Sequence, residues 1–275
     1  MQRFRFVRKL GRGTHGTAYL LRSTDGTDKM LVCKSVSIPY KAYAQQEIKI
    51  LSMLSHRRTI KLIESFSTHS GISIILEYLN HGTLAETISY LVNRRHRATN
   101  YLIWSVMAQI ADALLYLHHM QIAHRDVKPS NIFVNMVLIG SQGVLEFKLG
   151  DFGLAKMCSQ ILPGDVVGTP YYMAPEVISR EAYNNSVDVW GLGVSLYELS
   201  VLGKPFYGSS KDELYSSILH ASIQSSSICS NKNLDFLIRK CIMKINRISI
   251  QTLCKNKTLK YHLRILDYEL HNSYE

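Results

Sequence analysis

His124-Arg125-Asp126-Val127-Lys128-Pro129-Ser130-Asn131 is the stretch on which the reading of this chain turns. It sets an acid, a cation and a side-chain amide within a few residues of one another. Its five informative letters are His124, Arg125, Asp126, Lys128 and Asn131; at about one in twenty each, they would coincide by chance on the order of once in ten thousand chains of this length. Asp151-Phe152-Gly153 begins twenty-five residues after Asp126, and twenty-five further on Glu176 closes Ala174-Pro175-Glu176. Upstream lies Gly11-Arg12-Gly13-Thr14-His15-Gly16. Alone that spacing is a weak signal, and an ordinary glycine-rich turn would explain it. A dinucleotide-binding fold would continue into a helix, whereas Thr17-Ala18-Tyr19-Leu20-Leu21 reads as a strand.

The chain has 275 residues, 46% of them hydrophobic, enough for a substantial core. No apolar run is long enough to span a bilayer, and Met1-Gln2-Arg3-Phe4-Arg5-Phe6 lacks the apolar segment of a signal peptide. The five cysteines are odd in number and show no Cys-x-x-Cys spacing, so a reduced intracellular protein without disulfides or zinc is expected. The formal charge is +11, but the basic residues are dispersed and Arg94-Arg95-His96-Arg97 is their one dense cluster. A four-residue run of this kind reads as a solvated loop, and nucleic acid is not the expected partner. A basic body also suits polyanionic ligands or acidic proteins.

Outward from the glycines, alternation predicts strands through Phe4, Phe6 and Leu10, through Ala18 and Leu20, and over Leu31-Val32-Cys33-Lys34. A helix is predicted over 41–55, with Glu47, Leu51 and Leu54 on one face, and strands near 60–67 and 72–78. Residues 79–83 read as a connector. Helices then dominate: 101–119 is amphipathic, and 186–202 is apolar on nearly every face, the mark of a buried helix.

Together these motifs resemble the eukaryotic protein kinases over about residues 4–257. The resemblance implies an α+β bilobal fold: a small five-stranded antiparallel lobe with one main helix, and a larger, mainly helical lobe. It implies a single domain over 1–275, with the small lobe about 1–78, a hinge about 77–82 and the large lobe about 83–275. The implied activity is transfer of the γ-phosphoryl group of ATP to protein hydroxyls. Asp126 would be the catalytic base, Lys128 would neutralise charge on the transferring group, and Thr169 would brace both. Lys34 would contact the α- and β-phosphates, paired with Glu47; a surface lysine is the alternative. Asn131 and Asp151 would hold Mg²⁺, with Mn²⁺ as a substitute. The nucleotide pocket would comprise Leu10, Gly11, Gly13, Gly16, Ala18, Val32, Leu76, Glu77, Leu79 and Phe133. Ala18 and Val32 exchange the usual order of Val and Ala, a volume-conserving swap. Leu51, His124 and Phe152 would stack in a column anchored by Asp188.

Lys128 and Thr169 point to Ser/Thr specificity. Asn131-Ile132-Phe133, Lys148-Leu149-Gly150-Asp151-Phe152-Gly153 and Gly168-Thr169-Pro170-Tyr171-Tyr172 resemble the NIMA-related branch. Thr83 and Ser130 stand where Arg-directed kinases tend to carry acids, so no upstream Arg requirement is expected. Asp165 lies four residues before Thr169, where many kinases carry a phosphorylatable residue; it is either a built-in substitute facing Arg125, giving partial activity without phosphorylation, or a solvated turn acid. The segment from Asp126 to Asp151 is longer than usual, with Gly140-Ser141-Gln142-Gly143 as an enlarged hairpin tip. Arg247 is the expected partner of Glu176, although the usual preceding Asp-Pro is missing. A pseudokinase of the same fold is the rival reading. Protein substrates are the expected partners, a regulatory protein partner is left open, no membrane is involved, and the location is intracellular, cytoplasmic in the first instance, with nuclear or cytoskeletal association open.

Overall fold

The computed structural model describes residues 3–13, 16–139, 141–223 and 227–271. Its first part is a sheet of β1 (Phe4–Arg12), β2 (Gly16–Ser23), β3 (Met30–Ser37), β4 (Leu62–Thr68) and β5 (Gly71–Glu77) in the order β1-β2-β3-β5-β4, antiparallel throughout. Successive side chains of a strand point to opposite faces, and β3 uses both. Leu31 and Cys33 cluster with Ile75 on the outer face, whereas Val36 joins Ile72 and Ile74 against Ala44 of helix α1 (Lys41–Met53). Lys34 shares the parity of Val36, so the same alternation turns its ammonium toward α1. The helix is two residues shorter than the 41–55 expected, because Leu54 has extended backbone; Glu47 and Leu51 lie buried on its inner side.

Past the connector come α2 (Leu84–Arg94) and α3 (Asn100–His119). Thr83 caps α2, its hydroxyl accepting from the Glu86 amide while the Glu86 carboxylate accepts from the Thr83 amide. Short strands β6 (Ile122–Ala123) and β9 (Lys156–Met157) pair with each other, as do β7 (Ile132–Ile139) and β8 (Gln142–Leu149). The helices α4 (Pro175–Ile178), α5 (Ser186–Val201), α6 (Lys211–His220), α7 (Lys232–Cys241), α8 (Ile250–Cys254) and α9 (Lys257–His271) complete the second part. As expected from its all-round apolarity, α5 is buried nearly end to end, Trp190 fully so, and it packs with α3 in the main core.

The enlarged β7–β8 hairpin is more than a surface insertion. Leu266 and Leu270 of α9 pack on Val144, with Val137 and Ile139 beside them, so the extra strand length is a platform for the last helix. Gly140, at the predicted tip, lies outside the described residues. All five cysteines are free thiols.

Candidate active site

The loop from His124 to Asn131 is held from below by one carboxylate. Asp188, fully buried on α5, accepts hydrogen bonds from the His124 and Arg125 backbone amides at 2.9 and 2.8 Å and from His118 Nε2 at 2.9 Å. Burial alone would raise its pKa; the donation from His118 and the nearby imidazoles outweigh that and lower it. These bonds hold Arg125 in the left-handed region, φ 66°, which a side-chain-bearing residue rarely adopts unaided. His124 takes the Asp126 amide on Nδ1 at 3.3 Å, which fixes the tautomer: its Nε2–H donates to the Gly150 carbonyl at 3.0 Å. The Gly150 amide in turn donates to the Asn131 carbonyl at 2.9 Å. Two bonds through the Gly150 backbone, one from the His124 side chain and one to the Asn131 carbonyl, thus fasten the turn carrying Asp151 to the loop carrying Asp126.

Asp126 is itself nearly buried, and both carboxylate oxygens are engaged. Oδ1 accepts from the Thr169 amide at 3.0 Å and hydroxyl at 2.8 Å; Oδ2 accepts from Lys128 Nζ at 2.6 Å and Asn131 Nδ2 at 3.1 Å. Lys128 Nζ also donates to Thr169 Oγ1 at 2.6 Å. Thr169 reaches this position because Gly168 turns with φ 111°, where a Cβ would stand 2.8 Å from the Arg125 carbonyl.

Lys34 Nζ lies 2.8 Å from Glu47 Oε2 and 2.7 Å from Asp151 Oδ1. Burial would lower the ammonium pKa, but the two carboxylates prevail and raise it. Two acids share one cation, and they divide by environment. Burial pushes Glu47, almost fully enclosed, upward. Asp151 is also penalised by burial, but Lys34 and the Tyr43 hydroxyl bring it down to about 2. Tyr43 was not legible as a site residue; it stands one helical turn before Glu47 and donates to Asp151 Oδ1 at 2.8 Å. Of the column expected through the core, Leu51, Phe152 and His124 are all buried, and His124 and Phe152 meet edge-to-face at 4.9 Å.

Most of the residues expected around a nucleotide lie on β1, β2, β3 and β5, with Gly13 between β1 and β2, Leu79 in the connector after β5 and Phe133 on β7. Ala18 pairs with Lys34 across β2–β3, and Val32 with Leu76 across β3–β5. Leu10 is half-buried on β1, and Gly11 pairs with Ala18. Gly16 is required by packing, since a Cβ there would meet the Ser35 carbonyl at 2.2 Å; Gly11 faces open space, and a Cβ on Gly13 would make only ordinary contact with the Gly16 carbonyl at 3.9 Å. Leu79 is buried, while Glu77 and Phe133 are half-buried. The Glu77 carboxylate binds outward, accepting from the Lys61 amide at 2.7 Å and Lys148 Nζ at 2.8 Å.

The segment between Asp151 and Glu176 carries a second charged cluster. Asp165 Oδ2 accepts from Lys156 Nζ at 3.0 Å and Arg125 at 3.3 Å, and the Tyr183 hydroxyl donates to the Asp165 carbonyl at 2.9 Å. The bond from Lys156 chiefly lowers the Asp165 pKa. Arg247 meets Glu176 through two nitrogens at 2.6 and 2.9 Å, so the pairing forms without a preceding Asp-Pro.

Asn131 and Asp151 supply hard oxygen donors, and among the described residues no cluster of three or more His, Cys, Asp or Glu could cage a metal. Such a sparse set fits Mg²⁺, which binds through one or two protein oxygens and shares its shell with phosphates and water.

Where the β-rich part meets the helical one, the Lys34–Glu47 pair stands beside the loops carrying Asp126 and Asp151, an arrangement of the protein kinase fold. A model of the protein kinase domain matches residues 4–259, and the chain belongs to that family. It is 35% identical over 80% of its length to the probable serine/threonine-protein kinase nek3 of Dictyostelium discoideum, covering 20% of that protein. It is 30% identical over 94% of its length to the serine/threonine-protein kinase Nek5 of Homo sapiens, covering 37% of it. The resemblance to the NIMA-related branch is borne out. The chain thus spans between a fifth and well under half the length of these two relatives. No helix among the described residues is long and apolar enough to cross a membrane.

Proposed function

We propose that this chain transfers the γ-phosphoryl group of ATP to Ser and Thr hydroxyls of proteins. The observation that carries the reading is the contact of Lys34 with both Glu47 and Asp151, at 2.8 and 2.7 Å. It joins α1, Lys34 and Asp151 in one connected set, which supports the arrangement an active kinase requires. A pseudokinase commonly lacks one of these residues.

Asp126 accepts the proton of the attacking hydroxyl. Its carboxylate is oriented by Thr169, Lys128 and Asn131, so little reorganisation is needed when substrate arrives. Lys128 shifts part of its charge toward the transferring phosphoryl group, and Thr169 keeps the loop of Asp126 aligned. Lys34 holds the α- and β-phosphates. Asn131 and Asp151 would hold Mg²⁺, or Mn²⁺ in its place; a bound divalent ion supplies neutralising charge to the phosphate oxygens. Leu10, Ala18, Val32, Leu76 and Phe133 enclose the adenine, the Glu77 and Leu79 backbones meet its edge, and Gly11, Gly13 and Gly16 let backbone approach the phosphates. Asp165 stands in for an activating phosphate toward Arg125 and Lys156, giving partial activity without an upstream kinase. Thr83 serves as a helix cap and offers no acid to an upstream Arg of the substrate. Protein substrates, an intracellular location and any regulatory partner belong to the same reading.

The test is transfer of labelled γ-phosphate from Mg·ATP to a generic Ser/Thr substrate by unphosphorylated protein, with Asp126→Asn as control. Transfer that disappears in the control is expected. Absence of transfer by protein that still binds ATP would favour the pseudokinase.

A further inference from the structure

We propose that the Tyr43 hydroxyl is a positioning group for the Asp151 carboxylate, setting how readily that side chain takes a divalent cation together with nucleotide. The inference rests on the kinase reading above. Tyr43 and Glu47 are four residues apart on α1 and therefore face the same way. Glu47 takes Lys34, while Tyr43 takes Asp151 directly, its hydroxyl donating to Oδ1 at 2.8 Å. Lys34 donates to the same oxygen at 2.7 Å and sits 5.3 Å from the centre of the Tyr43 ring.

Three features make this a built contact. The Tyr43 ring fills the space above Gly153: a Cβ at 153 would fall 1.7 Å from the ring, so the glycine admits the tyrosine. From the adjoining turn of α1, Gln46 Nε2 donates to the Ala155 carbonyl at 2.9 Å, tying the helix to the same segment a second time. Asp151 itself has φ 61°, a conformation that persists only where surrounding contacts determine it.

The chemistry of a phenol suits the task. A carboxylate has about four acceptor directions, and the two donors on Oδ1 use about half of them while fixing its rotation. Lys34 divides its three donors between both Glu47 oxygens and Asp151, so it gives Asp151 a single bond. Tyr43 adds orientation without adding positive charge, and so does not repel an incoming cation. Burial, and then the neighbouring carboxylates, raise its pKa and keep it a donor.

The experiment uses the whole chain, a fluorescent non-hydrolysable ATP analogue and a Mg²⁺ titration, comparing wild type with Tyr43→Phe. Phenylalanine keeps the ring over Gly153 and removes only the donor. We expect analogue affinity without metal to stay within about twofold while the Mg²⁺ needed for half-saturation rises about three- to tenfold, as befits loss of a hydrogen bond to a charged group. An unchanged Mg²⁺ requirement would overturn the assignment, as would an equal loss with and without metal, which would mean packing alone. Failure of the wild type to bind the analogue at any Mg²⁺ concentration would overturn the kinase reading and this role with it.

Discussion

Arg58 and Asp267, 209 residues apart in sequence, meet at 2.6 Å. Arg58 follows α1 in a short loop and is completely buried; Asp267 lies on α9. The guanidinium also donates to Gln109 of α3 at 2.7 Å and lies 3.5 Å from Glu146 of β8. One cation therefore joins the loop behind the small lobe to three elements of the large one. Removing one partner of a buried pair costs more than the pair contributes, because the remaining charge stays buried.

Asp267→Ala is accordingly expected to lower stability in urea denaturation. A fully buried pair would lose about 3–5 kcal/mol; with Asp267 partly exposed and Glu146 still near Arg58, about 1–3 kcal/mol is expected. A smaller loss than that would mean that Gln109 and Glu146 suffice for Arg58.

Asp165→Ala should reduce phosphoryl transfer by unphosphorylated protein several-fold. The carboxylate brings about one negative charge to Arg125 and Lys156, where a phosphate would bring roughly −1.5 to −2. Asp165→Asn, which keeps the size and loses the charge, should fall by a similar factor. If both variants transfer at the wild-type rate, Asp165 is only a turn residue.

Acid should act on Asp188 and Asp151 in a definite direction. Both are held below the ordinary carboxylate range in the folded chain, Asp151 at about 2. A depressed folded-state pKa contributes stability that is present above the unfolded value, about 4, and is lost as pH falls through the folded value. Melting temperature should therefore drop as pH falls from about 4 toward 2. Asp188→Asn should melt lower at neutral pH and show a shallower decline over that acid range. An equally steep decline would place the acid sensitivity elsewhere, Glu47 excepted, since its raised pKa works with the opposite sign.

The sequence disclosed residues that act within short, fixed spacings. Asp126, Lys128 and Asn131 are neighbours on one loop, and their mutual hydrogen bonds follow from that proximity. Lys34 and Glu47 were named through the kinase resemblance; the sequence itself adds that an ammonium on an apolar strand requires a partner. Tyr43 was hidden because its contact with Asp151 spans 108 residues and depends on how closely α1 approaches the turn at Gly153. Arg58 carries no local signal of burial, because the groups that meet its guanidinium come from α3, β8 and α9, all far along the chain. The long β7–β8 hairpin was legible as an insertion, but its use as a seat for Leu266 and Leu270 depends on a helix more than a hundred residues later.

Asp165 has a consequence for control. Arg125 and Lys156 are answered there by a side chain made at translation, which no phosphatase can take away. Under the reading proposed above, in which Asp165 takes the part of an activating phosphate, moment-to-moment restraint would come from synthesis, turnover or a group bound over the site.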